Sequence, residues 1–138
     1  MGSNPVSSEG LSEETVAHLF DHAWSVRDKA HVIGPTRVGC AVLTAGGLIF
    51  EGCNVEHRFR SHDVHAEVNA ITTMVSSGHS LIRAVAIAAE RDRFTPCGAC
   101  MDWIMQFAAE SCVVFAQSIP KGPIQRYTTH ELMPHYPH

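Results

Sequence analysis

Apolar residues recur at helical spacing early in the chain and then group into shorter runs. After Ser12, which resembles a helix N-cap, one helical face is apolar at Val16, Leu19, Phe20, Ala23 and Trp24. This pattern predicts a first helix to about Lys29, before a break at Gly34-Pro35. The apolar runs 38–44 and 48–53 flank a turn of Ala45-Gly46-Gly47 and predict a β-hairpin.

The second half alternates helical and strand-like segments. Residues 65–77 place their apolar positions on one side of a helix. The apolar run 81–90 predicts a strand buried on both faces, 98–109 a helix, and 112–116 a further buried strand, whereas the tail after residue 123 is weakly patterned. A hairpin followed by this alternation predicts an α/β fold, a three-layer α-β-α sandwich around a mixed sheet of about five strands.

Length and composition suit one globular domain. The chain has 138 residues, of which 45% are hydrophobic and 17% charged. We expect a flexible amino terminus at 1–10 and a single domain over 11–138. No apolar run approaches the ~20 residues of a membrane-spanning helix. The first ten residues lack the cationic start and apolar core of a secretory signal, so we expect a cytoplasmic protein without a membrane partner.

Charge and cysteine content narrow the function further. Ten Lys and Arg against fourteen Asp and Glu give a formal net charge of -4 without a basic cluster, so nucleic acid is not an expected partner. Five cysteines form an odd set in a chain of this length, which argues against a disulfide framework. Cys40, Cys53 and Cys112 fall in predicted strands and are expected to pack there.

The other two cysteines, Cys97 and Cys100, lie where a buried strand gives way to a helix. Two thiolates separated by two residues can bind one metal there, and the helix amino terminus favours the thiolate form. Redox pairs and structural zinc sites share this spacing. His65 opens another predicted helix and can supply a third ligand to one Zn²⁺. Because structural zinc sites usually have four protein ligands, three indicate a catalytic site.

Glu67 lies two residues beyond His65, close to the ligand in sequence but pointing elsewhere. It can therefore act as the general base on a water molecule at the open position. This His-x-Glu with Pro-Cys-x-x-Cys is the signature of zinc deaminases. Taken singly, Cys97 and Cys100 could be a redox or packing pair and His65 a capping residue, but the combination favours catalytic zinc.

From about residue 37 to 134 the chain resembles the cytidine deaminase superfamily. Residues 38–42 resemble its first strand, and Gly-Cys-Asn-Val-Glu at 52–56 resembles its second, which ends in Asn-x-Glu in free-nucleoside deaminases. Eight residues separate Glu56 from His65, as in the small cytidine deaminases, and 131–134 resembles their Glu-Leu-Leu-Pro ending. The resemblance implies a nucleoside or nucleobase substrate.

The resemblance also implies particular contacts. Asn54 and Glu56 would bind a ribose hydroxyl, with discrimination against ligands that lack it. The other implied substrate contacts flank the metal ligands: Ala66, Thr95 and Pro96. The family further implies one Zn²⁺ per subunit and a homo-oligomer, a tetramer rather than a dimer. A carboxy-terminal aromatic, here Tyr136, would complete a neighbouring site.

Three departures from the family pattern bear on the substrate. His65 stands where small tetrameric cytidine deaminases have Cys, and Val68 replaces an Arg that offsets the third thiolate; one imidazole with two thiolates already neutralises Zn²⁺. The segment HAEVNAI is more similar to deaminases of free bases and nucleotides. Thr36 replaces an aromatic that packs against the base, and Phe59, in a nearby loop, is a candidate to supply that stacking.

The first hypothesis is hydrolytic deamination of cytidine, deoxycytidine or a close analogue. Alternatives are a deaminase of an aminonucleoside antibiotic of the blasticidin S type, a deaminase of guanine or another purine, and a zinc-stabilised binding module without catalysis. A polynucleotide-editing enzyme is a further alternative. Glu56 argues against the blasticidin type, purine enzymes usually lack Asn-x-Glu, and an inactive module leaves the presence of Glu67 unexplained.

Overall fold

The computed structural model describes residues 10–137, which form a five-stranded mixed sheet with helices on both faces. In chain order the elements are α1 (Glu13–Arg27), β1 (Val38–Thr44), β2 (Ile49–Cys53), α2 (Ala66–Ser76), β3 (Ile82–Ala89), α3 (Gly98–Phe107), β4 (Ala108–Gln117), β5 (Ile124–Thr128) and α4 (Thr129–Leu132). The strand order is β2-β1-β3-β4-β5, with β3 and β4 parallel and the other pairs antiparallel. The predicted α/β fold is confirmed.

The two faces of the sheet have separate cores. On one face α1 packs against alternate positions of β1 and β3. The α1 residues buried there are Val16, Leu19, Phe20 and Ala23. On the other face α2 and α3 pack against the intervening positions, which include Cys40, Val42, Val85 and Ile87. Since consecutive residues of β3 face opposite cores, this strand is buried on both sides, as its continuous apolar run predicts.

The predicted elements of the first half are close to the observed ones. Ser12 is the N-cap of α1, where its hydroxyl accepts a hydrogen bond from the Thr15 N–H at 3.0 Å. The hairpin of β1 and β2 and the start of α2 lie within one residue of their expected bounds. Of the expected flexible segment, residues 1–9 lie outside the described part of the chain. No helix within residues 10–137 has the length and apolar character needed to cross a membrane.

Two expectations for the carboxy-terminal half are wrong. The third helix ends at Phe107 instead of 109, and β4 begins at Ala108 instead of Cys112, because Ala108 pairs with Ile82 of β3. The tail, expected to be only weakly patterned, forms β5 and α4. Because β5 is an edge strand with exposed or half-buried side chains, it needs no apolar alternation.

Gly52 lets α2 lie close against the sheet. A Cβ atom on Gly52 would sit 2.2 Å from the backbone nitrogen of Ala70 and 2.7 Å from the carbonyl oxygen of Ala66. Any side chain at this position would therefore push away the helix that begins beside His65. The side chain of Asn69 adds a polar tie, since its Oδ1 accepts a hydrogen bond from the Cys53 N–H at 2.9 Å. These contacts fix the amino terminus of α2 at the end of β2.

Candidate metal centre and active site

Two helix amino termini converge at the carboxyl end of β3. His65 is the N-cap of α2, Cys97 is the N-cap of α3, and Cys100 lies in the first turn of α3. The His65 Nδ1 atom is 3.2 Å from the Cys100 Sγ atom and 3.5 Å from the Cys97 Sγ atom. All three candidate ligand atoms lie within 4.8 Å of one another. The structure thus brings together the three residues that the sequence predicts as metal ligands.

The spacing and chemistry of these atoms fit zinc. Tetrahedral zinc, with Zn–N of about 2.0–2.1 Å and Zn–S of about 2.3 Å, places nitrogen and sulfur ligands roughly 3.5 Å apart. The two observed N···S separations of 3.2 and 3.5 Å are near this value. Cys100 is 1% exposed, whereas Cys97 and His65 reach an open cavity. Zinc held by these residues would therefore be shielded by protein on one side and open to a ligand on the other.

Glu67 is a buried carboxyl group beside this centre. It lies in the first turn of α2, is 3% exposed and lines the same cavity as His65 and Cys97. Burial raises the pKa of Glu67, although its hydrogen bond to a backbone N–H and the nearby His65 oppose that rise. Burial, and then the charge of Glu67, also raise the pKa of the Cys100 thiol. A buried carboxyl group next to a metal centre is suited to proton transfer.

The other three cysteines do not reach the metal centre. Cys40, Cys53 and Cys112 are buried free thiols that belong to the strand-lined cores. Burial raises the pKa of the Cys112 thiol to about 12, so it stays protonated at neutral pH. The sequence-based prediction that these three residues pack within strands is confirmed.

A cavity of about 270 Å³ opens above the metal centre. This volume is slightly below the range of about 300–1,000 Å³ typical of small-molecule sites. Of the substrate contacts implied by the family resemblance, Asn54, Glu56, Ala66 and Thr95 line its wall. Pro96 is buried and is not part of the lining. The cavity therefore suits a compact ligand that reaches Glu67 and the metal ligands together.

The Asn54 side chain binds the backbone at the start of β1. Its side chain is largely buried, its Oδ1 accepts from the Val38 N–H at 2.8 Å, and its Nδ2 donates to the Thr36 carbonyl oxygen at 3.0 Å. Each end of the amide uses one hydrogen bond and keeps the capacity for another. The side chain can therefore hold the cavity wall and still bind a ligand, and its predicted ribose contact stays a prediction.

Glu56 binds the backbone of the loop between α1 and β1 in a similar way. Its Oε1 accepts hydrogen bonds from the backbone N–H groups of Ile33 at 2.6 Å and Gly34 at 2.9 Å. These bonds lower the pKa of Glu56, so the group is ionised at neutral pH. The second oxygen, Oε2, lies 3.5 Å from an Arg60 guanidinium nitrogen at the cavity wall. Glu56 therefore presents one carboxylate oxygen beside a cationic group.

The structure corrects one predicted contact and adds others. Phe59 does not line the cavity; its ring is 62% exposed and stacks on His57. A different aromatic residue, Phe94, lines the wall together with Arg60 and Arg91. The sequence pattern did not predict these three contacts. Asn69 was also missed, although a polar residue on the sheet-facing side of an apolar helix is a signal that could have found it.

Comparison with known proteins agrees with the geometry. The model of the cytidine and deoxycytidylate deaminase zinc-binding region matches residues 13–116. A probable cytidine deaminase from Dictyostelium discoideum is 32% identical over 127 residues, 90% of this chain and 84% of that protein. A cytidine deaminase from Sporosarcina psychrophila is 33% identical over 121 residues, 86% of this chain and 88% of that protein.

A solved structure supports the same assignment at the level of the fold. The cytidine deaminase from Burkholderia pseudomallei superposes with a TM-score of 0.79 at 24% sequence identity, covering 91% of this chain and 98% of that one. At 24% identity this likeness shows the fold alone. The family match extends over three quarters of the chain and includes all three candidate metal ligands. This chain therefore belongs to the cytidine and deoxycytidylate deaminase family of zinc-binding proteins.

Proposed function

We propose that this protein is a zinc-dependent hydrolase that converts cytidine or deoxycytidine to the uridine form with release of ammonia. The observation that carries the proposal is the buried carboxyl group of Glu67, which lines one compact cavity with two of the three metal ligands. The relatives described above are named as cytidine deaminases, which favours cytosine over other aminated bases. The net reaction is cytidine plus water to uridine plus ammonia.

The side chains of His65, Cys97 and Cys100 would hold one Zn²⁺. Bound there, zinc supplies the Lewis acidity that makes water a nucleophile near neutral pH. The Glu67 carboxylate accepts the proton that the attacking water loses. It then delivers a proton to N3 of the pyrimidine and assists departure of the 4-amino group as ammonia. Burial of Glu67 keeps bulk water from competing for this proton.

The cavity wall would orient the nucleoside for this reaction. The backbone of Ala66 and Thr95 flanks the metal ligands and can bind the polar edge of the base. Pro96, although it is not part of the lining, lies directly before Cys97, so its carbonyl oxygen is a further candidate for the substrate amino group. Asn54 and Glu56 would bind the ribose hydroxyls with their unused hydrogen-bonding capacity. These groups favour a nucleoside over a free base.

We further propose a homo-oligomer, a tetramer rather than a dimer. Support comes from α3, where the Trp103 ring is 39% exposed and stacks on Phe107, an apolar surface of the kind that subunit contacts cover. The Tyr136 hydroxyl bonds to Asp102 on the same helix, which directs the carboxy-terminal segment towards that surface.

We also propose a cytoplasmic location. Free thiols at all five cysteines favour a reducing compartment of this kind.

A substrate panel tests the proposed activity. We expect ammonia release by zinc-loaded protein from cytidine or deoxycytidine, and much slower release from cytosine, guanine and blasticidin S. The reason is that a free base such as cytosine or guanine leaves Asn54 and Glu56 without a partner, whereas the sugar of a nucleoside can bind both. Preferred turnover of guanine or blasticidin S would contradict the proposal and favour one of those alternatives.

A further inference from the structure

The cavity wall carries one prominent aromatic ring. Among the described residues that line it, Phe94 is the only aromatic side chain other than the metal ligand His65. Phe94 lies between β3 and α3, three residues before Cys97. It is half-buried and packs against the core cluster beneath α2 and α3. The core behind the Phe94 ring thus holds it in position.

Most of the other residues that line the cavity are polar or charged. Apart from the candidate metal ligands His65 and Cys97, the ionisable groups are the carboxyl groups of Glu56, Asp63 and Glu67 and the guanidinium groups of Arg60 and Arg91. Groups of this kind suit sugar hydroxyls and the reacting amine. The carboxyl groups do not suit the faces of a pyrimidine, whose π-surface is best buried against apolar or aromatic atoms. The Arg60 guanidinium, which could stack on a base, is already paired with Glu56 and Asp63. The aliphatic lining residues, Val38, Val64 and Ala66, are all smaller than a phenyl ring.

We propose that Phe94 is the surface on which the pyrimidine ring of the substrate stacks, and that it makes the site selective for planar bases. The identity of the base rests on the proposed function, whereas the stacking surface rests on the composition of the cavity wall. Because the Phe94 ring packs against the core, little side-chain freedom is lost when a ligand binds. The exposed Phe59 ring, which lies outside the lining, does not share this role.

Binding of two non-reacting ligands to the zinc-loaded protein separates stacking from general packing. Uridine has a planar base, whereas the saturated ring of 5,6-dihydrouridine is puckered and stacks poorly. We expect Phe94→Leu to weaken uridine binding about 3- to 10-fold and to change dihydrouridine binding little. Phe94→Tyr, which keeps the ring, should preserve the affinity for uridine. Isothermal titration calorimetry of each variant gives these affinities.

Phe50 offers a matched control. Its side chain is also half-buried against the same core cluster, but it contacts His79 and does not line the cavity. Phe50→Leu should therefore leave the affinities for both ligands unchanged. If the protein deaminates cytidine, Phe94→Leu should also raise KM without lowering kcat, because stacking stabilises the planar bound substrate at least as much as a transition state whose C4 is becoming tetrahedral.

The outcomes distinguish this proposal from the proposed function. Unchanged uridine affinity in Phe94→Leu, or equal losses for uridine and dihydrouridine, would overturn stacking on Phe94. Failure of Phe94→Tyr to retain uridine binding would overturn it as well. The wild-type protein could deaminate no nucleoside while Phe94→Leu still weakens the binding of uridine and not of dihydrouridine. That result would refute the proposed function and still support the stacking surface.

Discussion

Replacement of Glu67 by Gln is expected to lower kcat for cytidine by about 10²- to 10⁴-fold, the range for loss of a general acid–base group. Gln has nearly the same shape as Glu, so the cavity beside His65 should keep its form. It cannot accept the proton of the attacking water or return it to the base. Because the Glu67 side chain is 3% exposed, no solvent-borne base can easily take its place.

Three measurements on Glu67→Gln isolate the proton-transfer role: kcat from uridine formation, zinc content by atomic absorption, and uridine affinity by calorimetry. We expect zinc content and affinity to stay near the wild-type values. Glu110→Gln, an exposed position on β4, provides the same chemical change outside the cavity and should keep full activity. A kcat for Glu67→Gln within a few-fold of wild type would exclude Glu67 as the proton carrier.

Replacement of Cys100 by Ala is expected to abolish both zinc binding and activity. Only Cys97 and His65 would then remain as ligands, at the ends of two different helices. Bound zinc also stabilises the folded state, by about 4 kcal/mol when free zinc is a thousand times its dissociation constant. The variant should therefore unfold at a lower temperature than zinc-loaded wild type and should no longer respond to added zinc.

Cys112→Ala is the matched control for this experiment. Cys112 is, like Cys100, a buried free thiol, but it packs in β4 and takes no part in the metal centre. This variant should lose some packing energy and keep one zinc per subunit. Chelation of the wild-type protein should reproduce the loss in Cys100→Ala, and added zinc should reverse it. A Cys100→Ala protein with full zinc content would contradict the assigned ligand set.

The metal centre was the most predictable part of the molecule. Its residues lie in short motifs, and each motif sits at a helix amino terminus, so the spacing of Cys97 and Cys100, taken with the His-x-Glu motif, indicates that the two thiolates share one metal ion. The convergence of His65 with them follows from the order of helices and strands along the chain. The central strand β3 was also predictable, because a strand that is buried on both faces has a continuous apolar run.

Other features depend on tertiary contacts that no spacing rule describes. The boundary between α3 and β4 is set by pairing of Ala108 with Ile82, since 108–109 also fits a helical pattern. The edge strand β5 is half exposed and lacks a periodic signal. Phe59 and Phe94 are both aromatic residues in loops near the motifs, and only the fold shows that Phe94 lines the cavity. The hydrogen bond that Asn54 accepts from the Val38 N–H likewise requires the antiparallel pairing of β1 and β2.

Hydrolytic deamination by the zinc-loaded protein can be tested most directly with cytidine in water enriched in heavy oxygen. The structure and the proposed roles predict one ammonia for each uridine formed, with one solvent-derived oxygen at C4 of every uridine, as mass spectrometry would detect. Protein that carries one zinc per subunit but forms neither uridine nor ammonia from cytidine would contradict the proposed function.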